Sequence, residues 1–317
     1  MNELRSDPLT GRTVLYASGR AGRPNDFAPA ALDAGGGSPP ADCPFCAGHE
    51  SLTPPALAER VGPDGRWRQR VVPNKYPICG RREDDVCLGS HEVVIESPRH
   101  VTNTTELGQD GLAGVLGVYA ERLAHWRADG RFPFRMAFKN VGPSAGASLT
   151  HLHSQIVALP MLSTQQEIEA ALLASQDSPA DAWRAWRERE LADPARLLAE
   201  DAGLVAFCPT VSRASGEFWV VPRHGGPFFE DALPDASASD RMAALLFPLV
   251  ARLEQRILPA GYNLIVSTAP TTGVLADAFC WRLEVVPRVA SLAGFELGAG
   301  MFINTLPPDE AAALLRG

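Results

Sequence analysis

Residues 140–159 read Asn-Val-Gly-Pro-Ser-Ala-Gly-Ala-Ser-Leu-Thr-His-Leu-His-Ser-Gln-Ile-Val-Ala-Leu, a loop rich in Gly, Ser and Pro that leads into an apolar run. His151, His153 and Gln155 occupy alternate positions just before that run. Successive side chains of a strand point to opposite faces of a sheet, so a strand entrance here predicts that all three lie on one face. Two imidazoles and an amide beside a Gly-rich loop indicate a functional site. The alternative is a strand whose polar side chains face solvent.

The residue types in this stretch favour phosphoryl chemistry. An imidazole can attack phosphorus when an acceptor holds its other ring nitrogen, because this fixes the tautomer and leaves the attacking nitrogen free. The amide of Gln155 can donate to a phosphoryl oxygen whose charge grows during transfer. Glycines in the preceding loop let backbone N–H groups approach phosphates, since no Cβ blocks the way.

Length and charge bound the class of protein. A chain of 317 residues with 45% hydrophobic residues fits about two domains. The formal net charge of −8 argues against a nucleic-acid partner, because such proteins normally carry a basic face. No stretch approaches the roughly 20 apolar residues that cross a bilayer, and the N-terminus lacks the apolar region of a signal peptide. We expect no membrane partner and a cytoplasmic location.

The cysteine pattern predicts a metal site. Cys43-Pro-Phe-Cys46 forms a Cys-x-x-Cys knuckle, which lets two thiolates reach one tetrahedral ion such as zinc. Two more ligands are then needed, and the sequence offers six: His49, Cys79, Cys87, His91, His100 and His151. Two alternatives remain open at this point: a thioredoxin-like redox pair and two buried free thiols.

The chain reads as one α+β unit repeated. In the first half, strand-like segments precede a helical pattern at Leu107–Arg127 and two further strands follow. In the second half, helical patterns at Thr164–Ser175 and Ala180–Leu198 precede strands, a long helix at Met242–Leu258 and two more strands. We therefore predict an α+β fold of two tandem units, 1–162 and 163–317, each an antiparallel sheet covered by helices.

Several motifs, taken together, resemble those of a known family. His151-Leu-His153-Ser-Gln155 is similar to the His-x-His-x-Gln signature of the galactose-1-phosphate uridylyltransferase branch of the histidine-triad superfamily. Further matches occur in the same order along the chain: Asp7-Pro-Leu-Thr-Gly11, Arg20-Ala-Gly-Arg23-Pro24, Cys43-Pro-Phe-Cys46, Asn74-Lys-Tyr-Pro77, Ser97-Pro-Arg-His100 and Asn140 six residues before Gly146.

The resemblance implies two histidine-triad-like halves, assembly as a homodimer, and ping-pong transfer through a covalent nucleotidyl-histidine. His153 would attack the α-phosphorus of a nucleoside diphosphate sugar and release the sugar 1-phosphate, while Gln155 would bind the transferring group. The resemblance also implies one structural zinc site. Its ligands would be Cys43, Cys46, His100 and His151.

Other residues match family positions that contact the nucleotide and its phosphates. They are Arg20, Arg23, Asn74, Lys75, Asn140, Gly146, Ala147 and Ser148, together with Gln155.

The second half departs from the family pattern. Studied uridylyltransferases carry a His-x-His pair in its last strand that helps bind a second metal, whereas this chain has Glu284 and Val286 there. We expect the second metal site to be absent. The tail Gly294–Asn304 resembles that of the related ADP-glucose phosphorylases at least as well as that of true uridylyltransferases.

Four functions therefore compete. The first is a UDP-glucose–hexose-1-phosphate uridylyltransferase of galactose metabolism. The second is an ADP-glucose phosphorylase, which transfers an adenylyl group to phosphate. A nucleotide-binding protein without turnover and a Cys-x-x-Cys oxidoreductase are the other two.

Overall fold

The computed structural model describes residues 2–22, 42–80, 88–201, 203–257 and 260–317. The strands are β1 (Glu3–Ser6), β2 (Thr13–Tyr16), β3 (Ala58–Val61), β4 (Trp67–Pro73), β5 (Ser90–Ile95), β6 (Phe134–Val141), β7 (His153–Leu159), β8 (Leu197–Asp201), β9 (Leu204–Phe207), β10 (Phe218–Pro222), β11 (Tyr262–Ser267), β12 (Arg282–Pro287) and β13 (Phe302–Asn304). The helices are α1 (Thr104–Leu107), α2 (Gln109–Asp129), α3 (Thr164–Ala174), α4 (Pro179–Leu191), α5 (Ala236–Ile257), α6 (Leu275–Ala278), α7 (Gly294–Ala299) and α8 (Pro308–Arg316).

Ten strands form one antiparallel sheet in the order β3-β4-β5-β7-β6-β11-β12-β10-β9-β8. We call β3-β4-β5-β7-β6 the left half of this sheet and β11-β12-β10-β9-β8 its right half. Along the chain the left half is built in the order β3-β4-β5-α2-β6-β7, and the right half in the matching order β8-β9-β10-α5-β11-β12. The two halves meet where β6 pairs with β11, with Asn140 opposite Asn263. The predicted α+β class with repeated antiparallel sheets is confirmed, and the two sheets are continuous. The division at residues 162 and 163 stays a prediction.

One face of the sheet is covered by α2 and α5. The large apolar residues of α2 recur every three or four positions and pack on the sheet. Residues 115–120 are all buried, because α2 also packs against α5. Alternate residues of β6, β7 and β11, including Ala137, Ile156 and Leu264, belong to the same buried core. Because side chains alternate between faces, Asn140, His153 and Gln155 must lie on the opposite face.

The opposite face is covered on its right half and carries the polar residues on its left half. A second apolar cluster built around Trp183, Trp186 and Trp219 packs α3, α4 and α6 onto the right half. The left half, by contrast, presents the end of β6 and the start of β7. On this left half a third apolar cluster, formed by Cys43, Phe45, Val72, Val93 and Ile95, packs the cysteine knuckle onto the sheet. The fold therefore places the His-x-His-x-Gln segment next to the knuckle.

The N-terminal hairpin packs against the second half. β1 and β2 pair with each other, and β2 pairs in parallel with β13 near the C-terminus. The indole Nε1 of Trp186 donates to Asp7 Oδ2 at 2.7 Å, and Arg12 forms an ion pair with Glu284. The Asp-Pro-Leu-Thr-Gly motif is thus a turn that anchors this hairpin, since the other oxygen of Asp7 accepts the N–H of Leu9 and of Thr10.

One predicted helix is shorter than expected. The pattern at Ala180–Leu198 predicted a single helix, but α4 ends at Leu191 and residues 197–201 form β8. Pro194 explains the difference, because the residue before a proline is driven out of the helical region and Asp193 is extended. No helix among the described ranges is long and apolar enough to cross a bilayer.

Candidate functional site

The candidate site lies where β7 begins, between β5 and β6. His153 and Gln155 are on β7 and share a face, as predicted, with Ile95 and Val93 of β5 directly opposite them. His151 differs from the prediction because it precedes the strand, which starts at His153. Its ring turns instead into the cysteine knuckle.

Four side chains converge on one point, with all their ligand atoms within 4.8 Å of one another: Cys43, Cys46, His100 and His151. His151 Nδ1 lies 3.4 Å from Cys43 Sγ and 3.6 Å from Cys46 Sγ, and His100 Nδ1 lies 3.5 Å from Cys46 Sγ. In a tetrahedral zinc site with ordinary bond lengths the sulfur and nitrogen ligands are about 3.6 Å apart. The cluster therefore has the donor chemistry and the spacing of a tetrahedral metal site.

The far side of each imidazole is also fixed. His151 Nε2 lies 3.0 Å from the carbonyl oxygen of Ser97, and His100 Nε2 lies 3.2 Å from Thr150 Oγ1. A proton on His151 Nε2 donates to Ser97 and leaves Nδ1 as a lone pair that faces the cluster, the arrangement typical of metal-ligating histidines. Burial lowers the pKa of His151 to about 4, so its ring is neutral as a ligand must be.

The other thiol and imidazole candidates lie elsewhere. His49 Nδ1 is 2.7 Å from the carbonyl oxygen of Cys43 and so supports the knuckle from outside. Cys79 donates to a backbone carbonyl of β5, His91 contacts Gln155, and Cys87 lies outside the described residues.

The environment of the knuckle is unlike that of a redox pair. Redox-active pairs depend on a thiol whose pKa is lowered. Burial instead raises the pKa of Cys46 to about 11, so a nearby cation is what would stabilise its thiolate.

His153 is oriented by the backbone of the cluster. Its Nδ1 lies 2.8 Å from the carbonyl oxygen of His151, so Nδ1 carries the proton and Nε2 keeps its lone pair. The ring packs on Phe45 of the knuckle, with centroids 5.2 Å apart, and the residue is 9% exposed. Burial lowers the pKa of His153, so the ring is neutral near pH 7. This is the tautomer that a nucleophilic Nε2 requires.

Gln155 belongs to a cluster of polar side chains with His91 and Asn74. Its Oε1 lies 2.7 Å from His91 Nε2, and Asn74 Nδ2 lies 3.1 Å from that same nitrogen. The N–H of Ile78 donates to His91 Nδ1 at 3.1 Å. Lys75 is exposed next to Asn74. The structure thus brings Asn74 close to Gln155 through His91, a histidine whose role the sequence did not reveal.

Asn140 is held by the second half of the chain. Asn263 Nδ2 donates to Asn140 Oδ1 at 2.8 Å and to the carbonyl oxygen of Ala145 at 2.9 Å. The oxygen of the Asn140 amide is therefore occupied, and its Nδ2 faces the Gly146 turn. Sequence reasoning missed Asn263. A single amide side chain within an otherwise apolar strand, Tyr262–Ser267, is the feature of the sequence that could have pointed to it.

The Gly-Pro-Ser-Ala-Gly loop is a tight turn, and several of its backbone N–H groups are bonded within it rather than free to bind a phosphate. The backbone N–H groups of Ala145, Gly146 and Ala147 donate to carbonyls of residues 142 and 143. Gly146 has φ 88°, a left-handed conformation that favours glycine. Ser148 is exposed just after the turn. The turn therefore shapes the site, and its amides at 145–147 are already bonded within it.

Arg20, in the N-terminal segment, lies near Asn263. It lines a cavity of about 550 Å³ together with Asn263, Arg213 and Phe295. Because Asn263 also bonds Asn140, the cavity adjoins the end of β6. Arg23 lies outside the described residues.

The corresponding position in the second half holds an ion-pair network. Glu284 Oε1 and Oε2 lie 3.1 and 3.2 Å from Arg12 Nη2, and Oε1 lies 2.6 Å from Arg282 Nε. Arg213 also bonds Glu284. Burial alone would raise the pKa of Glu284, but the three guanidinium groups outweigh it and hold the pKa far below its usual range. Both oxygens of this carboxylate therefore bond to arginine side chains.

The chain is similar to known proteins along almost its whole length. No protein-family model matches it. It is 29% identical over 329 residues to ADP-glucose phosphorylase of Arabidopsis thaliana, covering 99% of this chain and 92% of that protein. It is 23% identical over 337 residues to galactose-1-phosphate uridylyltransferase of Thermotoga maritima, covering 100% of this chain and 98% of that protein.

Solved structures agree with these relatives. The crystal structure of an ADP-glucose phosphorylase from Arabidopsis thaliana with bound ADP-glucose matches with a TM-score of 0.85 at 27% identity, covering 100% of this chain and 99% of that one. A uridylyltransferase structure matches with a TM-score of 0.68 at 24% identity, covering 100% of this chain and 97% of that one, which shows the shared fold. The resemblance drawn from the motifs is confirmed over the whole length, and with it an enzyme of the nucleotidyl-transfer kind.

Proposed function

We propose that this chain, a nucleotidyltransferase related to galactose-1-phosphate uridylyltransferases, is a phosphorylase that transfers an adenylyl group from ADP-glucose to phosphate through His153. The observation that carries the covalent route is the hydrogen bond from His153 Nδ1 to the carbonyl oxygen of His151, which leaves Nε2 as the free nucleophile. The greater similarity to an ADP-glucose phosphorylase than to a uridylyltransferase supports the adenylyl group.

In the first step the lone pair of His153 Nε2 attacks the α-phosphorus of the nucleoside diphosphate sugar. A P–N bond forms, and the bond from the α-phosphorus to the bridging oxygen breaks. The bridging oxygen leaves with the β-phosphate as glucose 1-phosphate. The ring then carries a positive charge, and the Nδ1–H bond to the His151 carbonyl becomes charge-assisted and stronger.

In the second step an oxygen of inorganic phosphate attacks the same phosphorus. The P–N bond breaks, its electron pair returns to Nε2, and ADP is released. The histidine is restored as a neutral ring, so the same geometry serves both steps.

The surrounding donors would stabilise the transferring group. The amides of Gln155, Asn140 and Asn74 supply uncharged donors for the phosphoryl oxygens, whose charge grows in transfer. Lys75, Arg20, Arg23 and Ser148 would contact the nucleotide and the second phosphate, and Gly146 and Ala147 would let the nucleotide approach the turn.

We further propose zinc as the ion of the cluster, since two thiolates and two imidazoles in tetrahedral spacing are the ligands that zinc prefers. When bound, it would tie the knuckle and His100 to His151, whose carbonyl orients His153. Four protein ligands leave no open position, so the ion would be structural. A homodimer, as the motifs imply, is also proposed, and light scattering on the purified protein measures it.

Uridylyl exchange between UDP-glucose and galactose 1-phosphate is the second candidate. The full-length similarity to a protein named galactose-1-phosphate uridylyltransferase favours it. Both candidates use the same covalent step and differ in the base and the acceptor.

The test is the intact mass of the protein after incubation with an equimolar mixture of ADP-glucose and UDP-glucose. We expect an adenylyl adduct that is absent from His153→Ala and that disappears when phosphate is added. A uridylyl adduct discharged by galactose 1-phosphate would select the second candidate. Nucleotide binding without any adduct would instead indicate a binding protein and refute both.

A further inference from the structure

His91 is a buried histidine of β5 that the proposed chemistry does not use. It is 6% exposed, and it lies on the same face of the sheet as Gln155, two residues along β5 from Val93, the residue paired with Gln155. Diagonal neighbours of this kind are within reach of long side chains. Both of its ring nitrogens have partners, which fixes its protonation.

The backbone determines the tautomer of His91. Ile78 donates its N–H to His91 Nδ1 at 3.1 Å, so Nδ1 must be a lone pair. The proton of the neutral ring is then on Nε2. That nitrogen lies 2.7 Å from Gln155 Oε1 and donates to it.

The tautomer in turn orients the amide of Gln155. Because Oε1 accepts from His91, the NH₂ group is the end of the amide left for a ligand. Within the described residues it has no hydrogen-bond partner. With the opposite tautomer Nε2 would be an acceptor, the amide would turn round, and a carbonyl oxygen would face the phosphoryl group.

Asn74 follows the same rule. Its Oδ1 accepts the N–H of Tyr76 at 2.8 Å, so its Nδ2 carries the free hydrogens. That Nδ2 lies 3.1 Å from His91 Nε2, which already bears a proton and cannot accept. The hydrogens of Asn74 are thus also left for another acceptor, beside those of Gln155.

We infer that His91 is a positioning residue for nucleotidyl transfer: held by Ile78 as the Nε2–H tautomer, it donates to Gln155 Oε1 and so aims the Gln155 NH₂ group at the phosphoryl oxygens. This inference rests on the proposed function. It predicts that the donor at position 91 matters, and that it acts through Gln155.

The experiment measures the single-turnover rate of adduct formation on His153 in three variants at position 91. His91→Leu removes the donor, His91→Gln supplies an amide N–H, and His91→Glu supplies only acceptor oxygens. We expect His91→Leu and His91→Glu to slow the step by at least about tenfold, and by no more than the roughly 10²- to 10³-fold that complete loss of an oxyanion donor costs. We expect His91→Gln to stay within about threefold of wild type, because it restores the donor.

A double variant tests whether the effect passes through Gln155. If it does, His91→Leu combined with Gln155→Leu is no slower than Gln155→Leu alone, because residues that act as a unit are not additive. Additive losses would overturn the inference, as would wild-type rates in His91→Leu. His224→Leu, at an exposed histidine, is the control for loss of an imidazole.

Two checks separate the possible failures. Thermal midpoint and zinc content are measured for every variant. If His91→Leu does not fold, the difference in the rate of adduct formation between His91→Gln and His91→Glu is the test. Wild-type protein that forms no adduct refutes the proposed function and this inference with it. Wild-type protein that forms the adduct, with position 91 indifferent to donor or acceptor, refutes the inference alone.

Discussion

Replacing Asn263 by Leu is expected to slow nucleotidyl transfer, although Asn263 lies in the second half and follows His153 by more than a hundred residues. Its Nδ2 makes two hydrogen bonds, to Asn140 Oδ1 at 2.8 Å and to the carbonyl oxygen of Ala145 at 2.9 Å. Leu has the same number and branching of side-chain heavy atoms but no donor. The variant therefore removes what orients the Asn140 amide while it preserves the packing of β11.

The two bonds set the expected magnitudes. Each contributes about 1 kcal/mol net, so Asn263→Leu should cost about 2 kcal/mol of stability. For 317 residues this corresponds to a fall of about 3 °C in the thermal midpoint. The bond to Asn140 favours one amide orientation by about 1 kcal/mol, and its loss should slow adduct formation about fivefold.

The assay is rapid quench followed by intact mass, with saturating nucleotide sugar, alongside a thermal melt. Asn103→Ala is the matched control. Asn103 caps α1 by accepting the N–H of Glu106 at 2.9 Å, and its loss costs about 1 kcal/mol of stability without touching the site. A thermal midpoint for Asn263→Leu that falls as expected, with a rate within twofold of wild type, would refute the idea that Asn263 acts by orienting Asn140.

Three further predictions concern the metal, the buried charges and the junction of the halves. Cys46→Ser should lower the zinc content of purified protein well below one ion per chain, as measured by mass spectrometry of the metal; unchanged zinc content would contradict the assignment of the cluster. Glu284→Gln should cost about 3 kcal/mol in a denaturant melt because it leaves the guanidinium groups of Arg12, Arg213 and Arg282 under-compensated, two of them buried and the third half-buried, whereas Glu200→Gln, in an exposed pair, should leave the melt nearly unchanged. Gly261→Ala should lower the thermal midpoint because its Cβ would collide with a backbone carbonyl at the end of β6, while Gly294→Ala, which has open space, should leave it unchanged.

The local patterns in the sequence predicted most of the elements. The strand-like segment at 134–138, the apolar run at 156–159 and the helical spacing at 107–127 depend only on neighbouring residues, and the structure has a strand, a strand and α2 there within a few positions. Where a local signal was missed, the prediction was wrong: Pro194 ends the helical region that the spacing had extended to Leu198.

The candidate site could be predicted only in part. The Cys-x-x-Cys knuckle is a local signal, and the family motif pointed to His100 and His151 as its partners, which the structure brings within ligand distance. His91 and Asn263 could not be assigned in this way. Each acts on a side chain that is distant in sequence, and each contact exists only because a particular strand register brings the two together.

By itself the sequence determined the residue types for the chemistry, the repeat of strands around a long helix, and the order of the motifs. It did not determine which nitrogen of His153 is free, which end of Gln155 faces a ligand, or that the two halves share one sheet. Those depend on hydrogen bonds between segments that meet only after folding, since the carbonyl of His151, the N–H of Ile78 and the amide of Asn263 choose among side-chain states that are nearly equal in energy in an isolated chain.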